Sequence, residues 1–269
     1  MIWLVPTPIG NIADISLRAL EVLSKAEIFL CEDTRVTKQL LQILQQRYDL
    51  ALEENRVFYS LHSHNEQEFF ERTPPSFFEK NVVYMSDAGM PGVSDPGAVL
   101  VAYAQKHNLA YEVLPGANAA LSAYVASGFN ATQFLFFGFL PHKSKERETK
   151  LQEALFSGYV TILYESPHRL EKLLKQIQKF DPDREIFLAK ELTKRYQTFF
   201  KGNAKSLLQE VGQIKGEWVV VISATNKTLH TSAITQEDIL ALDIPKKQKA
   251  KLLSKITGKN IKELYNSLV

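Results

Sequence analysis

SDAGMPGVSDPG, residues 86–97, follows the apolar run VVYM and precedes AVLVAYAQKH, whose apolar spacing is helical. Three glycines, two prolines and two aspartates separate strand from helix here. An ordinary connection at such a place needs only a few residues. Twelve residues of backbone punctuation imply a loop against which a ligand binds. Its second half also has a plainer reading: Asp95 before Pro96 suits a helix N-terminus with proline at the first helical position.

Outward from that loop the same grammar recurs. IWLVP leads into ISLRALEVLSKA, where Ile15, Ala19, Val22 and Leu23 share a face. EIFLCED leads into TRVTKQLLQILQQ, RVFYSLH into NEQEFFER, and AYEVLPG into ANAALSAYVASG. Such alternation implies α/β architecture, with a mostly parallel sheet covered on both faces. FLFFGFLPHKSKER breaks the rhythm and reads either as a crossing between two domains or as a strand running into a loop within one. VTILYES then opens into PHRLEKLLKQIQKF, with Pro167 in the first turn, and EIFLAKEL is followed directly by YQTFF, which implies some antiparallel pairing and a mixed sheet. TNKTLHTSA reads as a linker to three short helical patterns that complete the sequence.

Composition fits a soluble globular chain: 269 residues, 45% hydrophobic and 23% charged. No apolar run reaches the roughly 18–20 residues that span a bilayer, and MIWLVPTPIGN lacks the features of a signal peptide. The single cysteine, Cys31, lies in an apolar strand pattern and suits a reducing, cytoplasmic setting. No cysteine cluster, helical histidine pair or dense carboxylate loop supports a metal site. The net charge of +2 conceals an asymmetry: from Pro245 onward seven lysines oppose Glu263 alone, leaving that segment at +6 and the remainder at −4. A basic appendage implies either a polyanionic partner or simply a solvated surface helix.

Six loops carry the candidate chemistry: TPIGN (7–11), EDTR (32–35), SDAGMPGVSDPG, LPGANAA, YESPHR and AKELTK. Each follows a strand pattern, and ligands of open α/β sheets collect beyond the carboxyl ends of strands. One such loop alone is a tight turn; six on one edge imply a site. The P-loop, dinucleotide and nucleophile-elbow signatures are all absent, which disfavours P-loop nucleotide hydrolases, NAD-type dehydrogenases and common α/β-hydrolases.

TPIGNIADISLRALEVL, EDTRVTKQLL, SDAGMPGVSDPG, FFGFLPHKSKER, YESPHRLEKLL and KGEWVVVI together resemble the ordered motif set of the ribosomal RNA small subunit methyltransferase I family, from about residue 2 to 224. That family belongs to the tetrapyrrole-methylase-like users of S-adenosylmethionine. The resemblance implies two α/β domains of the tetrapyrrole methylase type (class III methyltransferase), with the methyl donor in the cleft between them and a small C-terminal helical module. It implies transfer of a methyl group to a cytidine ribose 2′-hydroxyl in the decoding region of small-subunit RNA, by a cytoplasmic homodimer. The expected division is 1–117 and 118–226 for the two α/β domains, and 233–269 for the lysine-rich tail. A tetrapyrrole precursor as substrate, or a non-catalytic RNA-binding protein, are the alternatives.

By position, the resemblance implies a donor site of Pro8, Ser86, Asp87, Ala88, Gly89, Pro91, Asn118, Ala119, Glu165, Ser166, Ala189 and Gly216. Departures from the family pattern stand at Met90, at Asn118 and at Gln197, where an acid is usual. A ribose hydroxyl is a poor nucleophile and gains from a positioned base. The candidates are Asp33, Glu32 and Asp87, with His168 as a further possibility and Asp33 favoured; each can instead serve a structural role. Expected RNA contacts are Arg35, Lys38, Lys143, Lys145, Arg147, Arg169, Lys190 and Lys194, with the tail lysines adding long-range attraction. Phe136, Phe137 and Phe139 can stack on bases or serve in packing.

Overall fold

The computed structural model describes residues 1–93, 95–227 and 236–268, and residues 1–227 and 228–269 form separate compact units. In the larger unit, β1 (Ile2–Leu4), β2 (Ile28–Cys31), β3 (Val57–Ser60), β4 (Val82–Met85) and β5 (Tyr111–Val113) form a parallel sheet in the order β3-β2-β4-β1-β5. Strands β2 and β4 are buried along their whole length, as expected of central parallel strands with both faces covered. Alternation divides them between two cores. Phe29, Cys31, Val83 and Met85 face α1 (Leu17–Ser24) and α2 (Thr34–Tyr48); Ile28, Leu30, Val82 and Tyr84 face the side of α3 (Glu66–Arg72) and α4 (Gly97–Lys106).

After β5 the chain crosses to a second layer system. Helix α5 (Ala119–Ser127) covers one face of a sheet formed by β6 (Phe134–Phe139), β7 (Val160–Glu165), β8 (Ile186–Lys190), β9 (Thr198–Gly202) and β10 (Trp218–Ile222), in the order β6-β7-β10-β8-β9. Helices α6 (Ser144–Leu155), α7 (Pro167–Phe180) and α8 (Ala204–Glu210) cover the other face. The sheet is mixed: β6 and β7 are parallel, whereas β10 runs antiparallel to both β7 and β8, and β8 to β9.

FLFFGF is therefore an edge strand inside the second sheet, and the crossing precedes it, between β5 and α5. The expected boundary at 117/118 lies in that connection. Pro167 does open α7, with Ser166 at the cap. Pro96, by contrast, stands at the cap of α4 rather than in its first turn. Asp95 instead accepts N–H bonds from both Gly92 (2.6 Å) and Gly97 (2.9 Å), tying the loop to the helix start.

In the second unit, α9 (Gln236–Ala241), α10 (Lys246–Thr257) and α11 (Ile261–Ser267) bury Ile239, Ala250 and Leu253. Lys246, Lys247, Lys251, Lys255, Lys259 and Lys262 are exposed, and Lys249 partly so. Of the expected linker 225–233, residues 228–233 lie outside the described residues, as do positions 233–235 and 269 of the expected tail. No helix among the described residues is long and apolar enough to cross a membrane.

Candidate functional site

The loops after β1 and β4 leave from adjacent strands and lock together. Thr7 and Gly89 exchange both backbone N–H···O bonds at 3.0 Å, and the Thr7 hydroxyl donates to the Ser86 carbonyl at 3.2 Å. Gly89 sits at φ +87°, and a Cβ there would stand 3.2 Å from Cγ2 of Ile9, so both backbone sterics and space call for glycine. Ser86 donates its hydroxyl to the Gly89 carbonyl at 3.2 Å, closing the turn.

Ile9 lies in an apolar cluster with Phe187, Ala189 and Val219 of the second lobe. The first-lobe turn thereby reaches across to the second sheet. A cavity of about 390 Å³ opens between them, lined by Ile9, Ala88 and Ala119 and by Phe139, Tyr164, Glu165, Ser166, Pro167, Ala189, Leu192, Glu217, Trp218 and Val219. A second cavity of about 150 Å³ shares Ile9, Ala88, Ala119 and Tyr164 with it and adds Glu32, Ser86, Gly89, Met90, Val93, Asp95 and Asn118. One half is mostly apolar; the other carries carboxylates and hydroxyl.

Among the expected donor-site residues, Ala88, Ala119, Glu165, Ser166 and Ala189 line the larger cavity, and Ser86, Gly89 and Asn118 the smaller. Pro8, Asp87, Pro91 and Gly216 line neither. Asn118 uses its side-chain oxygen to cap α5, accepting from Leu121 N–H at 3.0 Å. Gly216, at φ +81°, lets its neighbour Glu217 reach the wall, since a Cβ at 216 would collide with the Glu191 carboxylate.

Sequence reading missed Tyr164, Leu192 and Trp218. Trp218 escaped it because β10 is antiparallel: its amino end stands in register with Glu165 of β7 and Lys190 of β8, at their carboxyl ends. A rule that looks only past carboxyl ends overlooks a reversed strand.

The three candidate bases behave differently. Asp33 caps α2 and is held by the Arg35 guanidinium at 2.6 Å, and these bonds pull its carboxyl down to about 2. That makes it a weaker proton acceptor than an ordinary carboxylate. Backbone bonds tie the two loops together: the Asp87 carboxylate accepts Asp33 N–H at 3.0 Å, and the Glu32 carboxylate accepts Asp87 N–H at 3.3 Å. Burial raises both carboxyls above the usual range, and their mutual repulsion raises Glu32 further. Of the three, Glu32 alone lines a cavity.

The expected RNA contacts also divide. Arg147 is a correction: its side chain is 1% exposed and its guanidinium pairs with Glu165 at 2.6 Å, so no phosphate can reach it. Its place on α6 turns it inward, against Gln176 of α7. Arg169 is largely buried as well, bonded to Glu165 and to the Leu140 carbonyl. Lys194 pairs with Glu191 and Glu217, and Lys190 donates to the Gln213 carbonyl beside the Trp218 ring. Arg35, Lys38 and Lys143 are exposed. Burial pushes the Cys31 thiol up to about 11, leaving it inert. Among the described residues, no group of three or more histidine, cysteine or carboxylate side chains gathers as for a metal.

Comparisons with known proteins agree with this geometry. The family model for tetrapyrrole (corrin/porphyrin) methylases matches residues 1–208. A ribosomal RNA small subunit methyltransferase I of Campylobacter fetus is 50% identical over the whole of both chains. Its namesake in Helicobacter pylori (strain 26695) is 47% identical over 98% of this chain and 96% of its own. In fold, the chain is similar to the methyltransferase CobJ (17% identity, TM-score 0.59, covering 83% of this chain and 94% of that one). It is also similar to a uroporphyrin-III C-methyltransferase of Thermus thermophilus complexed with S-adenosylhomocysteine (14%, TM-score 0.55, 82% and 96%). With a family model matching residues 1–208 and relatives this similar along nearly their full length, the chain belongs to the tetrapyrrole methylases and, within them, to the ribosomal RNA small subunit methyltransferase I family.

Proposed function

We propose that this chain is an S-adenosylmethionine-dependent methyltransferase of small-subunit ribosomal RNA, acting on the ribose 2′-hydroxyl of a cytidine near the decoding centre. The observation that carries the reading is the two-part cavity between the lobes, mostly apolar in one half and mixed in the other. Its size suits a nucleoside-sized ligand, for which sites run about 300–1,000 Å³. Tyr164, Leu192, Trp218 and Ala189 offer the apolar surface a purine needs, while Ser86, Asn118 and the Gly89 turn offer small polar walls to an amino-acid moiety. When bound, the donor supplies a methyl carbon already activated by its sulfonium. The remaining task is positional, so Ser86, Ala88, Gly89, Asn118, Ala119, Glu165, Ser166 and Ala189 would hold it, with Pro8, Asp87, Pro91 and Gly216 supporting the turns.

Glu32 takes the proton from the acceptor hydroxyl in this reading. Its raised basicity and its place on the smaller cavity favour it over Asp33. Arg35, Lys38, Lys143 and the tail lysines provide the phosphate-facing charge. The two sheets serve as the domains 1–117 and 118–226. A homodimer in the cytoplasm is the working form, a reading supported by Leu121 and Val125, exposed one turn apart on α5, the helix whose Tyr124 packs on the exposed Phe134 of β6. Purified protein is expected to transfer a labelled methyl group to small-subunit RNA, or to small-subunit particles, from cells lacking the gene. Failure with both presentations, or transfer to a porphyrinogen precursor instead, overturns the substrate assignment.

A further inference from the structure

We propose that Thr193 is a positioning residue, latching the TPIGN turn of the first lobe to the second lobe and thereby fixing the wall of the donor cavity. The inference rests on the donor-site reading above. The loop between β8 and β9 holds two non-glycine residues in the left-handed region, Glu191 at φ +52° and Thr193 at φ +63°. For a β-branched residue this is a genuine outlier, and such strain persists only where surrounding bonds dictate it.

Those bonds are present. The Thr193 N–H donates to Oε1 of Gln197 at 2.6 Å, and the Thr193 hydroxyl accepts the backbone N–H of Asn11 at 3.0 Å. Glu191 accepts the Glu217 N–H at 2.8 Å, and Lys194 bridges the Glu191 and Glu217 carboxylates at 3.1 and 3.0 Å. The left-handed turn at 193 therefore aims its hydroxyl out of the second lobe and at the first.

The first lobe is shaped to receive it. A Cβ on Gly10 would stand 2.4 Å from Cγ of Lys194, 2.8 Å from the Thr193 hydroxyl and 2.9 Å from the Leu192 carbonyl. Only glycine lets the two backbones meet this closely. The residues beside the contact, Ile9 on one side and Leu192 on the other, both line the larger cavity. Gln197, for which the sequence offered no role, completes the device by holding the strained N–H.

Calorimetric titration with S-adenosylhomocysteine, together with donor kinetics, tests the latch. Loss of one such hydrogen bond shifts a latched–open balance by about five- to tenfold, and affinity falls with the latched fraction. Thr193→Ala is expected to weaken S-adenosylhomocysteine binding and raise the donor KM measurably, by up to that factor, with kcat at saturating donor within about twofold of wild type. Thr193→Ser, which keeps the hydroxyl, restores both. Gln197→Leu weakens binding in the same direction while Gln197→Glu does not. Folded Thr193→Ala that binds like the wild type overturns the latch; should that variant not fold, equal affinity in the two Gln197 variants overturns it. Wild-type protein that fails to bind S-adenosylhomocysteine defeats the donor-site reading instead.

Discussion

On the first-lobe side of the larger cavity the wall is small: Ala88, on the Gly89 turn, with Ile9 as the one large residue. On the second-lobe side it is large and charged. Tyr164 and Trp218 face the cavity there, and Glu165 is fixed behind it by two arginines. The first wall depends on what the backbone can adopt, the second on which partners meet across long sequence separations. Mutations that separate conformation from charge should therefore act differently on the two.

The largest effect is expected at the carboxylate that faces the cavity from the first lobe. Glu32→Gln keeps an oxygen for the Asp87 N–H but removes the base, so kcat should fall by about 10²–10⁴. In the wild type the rate should fall as pH drops through the raised Glu32 pKa, because the base must be ionised to accept a proton. Stability has the opposite sign. A carboxyl raised on folding detracts from stability once pH exceeds its unfolded pKa, so the melting temperature of the variant should hold or rise at neutral pH. A pH–rate profile and a thermal melt check both; an unchanged kcat removes Glu32 from the mechanism.

The second wall should yield the largest loss of stability. Arg147→Met preserves bulk but leaves Glu165 with one guanidinium, and breaking a buried pair costs about 3–5 kcal/mol. At about 2–4 °C per kcal/mol for a unit of this size, the melt should fall by roughly 6–20 °C. A change within 1 kcal/mol, roughly, would mean the network is dispensable.

The sequence announced one wall far better than the other. Glycine-rich turns advertise a conformation through residue type alone, so SDAG and TPIGN were legible as special loops, which the structure places at the cavities, and the βα rhythm placed the strands that precede them. Arg147 was not legible in the same way. It sits in a polar run, KSKERETK, and only the packing of α6 against α7 shows that it turns inward while Lys143 and Lys145 stay in water. Asp33 is a related case: the i+2 arginine beside it is visible in EDTR, but the bidentate geometry is not. Trp218 was hidden by strand direction. Polar roles depend on long-range partners, and those emerge only with the fold.

A smaller effect on the first wall sharpens the contrast. Gly89→Ala forces an L-residue to φ +87° and sets a methyl 3.2 Å from Ile9. About 1–2 kcal/mol of destabilisation is expected from the backbone alone. Because the same turn holds Ser86 and Ala88 at the cavity, S-adenosylhomocysteine affinity should fall as well. Arg147→Met should shift stability more than affinity, and Gly89→Ala the reverse; equal partition in both would erase the distinction between the walls.

The smallest effect is expected at the exposed end of the same charged segment. Lys143 precedes α6, is solvated, and makes no side-chain hydrogen bond as the helix cap. Lys143→Ala should leave stability within about 0.5 kcal/mol, four residues from a position where substitution costs several-fold more. Its charge should register only against RNA. If it contacts one phosphate, the slope of log affinity against log salt should shrink by about 0.7–0.9, with weakening that is uniform across sequences. A salt slope identical to wild type removes Lys143 from the interface. A large loss of stability would mean that the outer and inner charges of α6 work as one network.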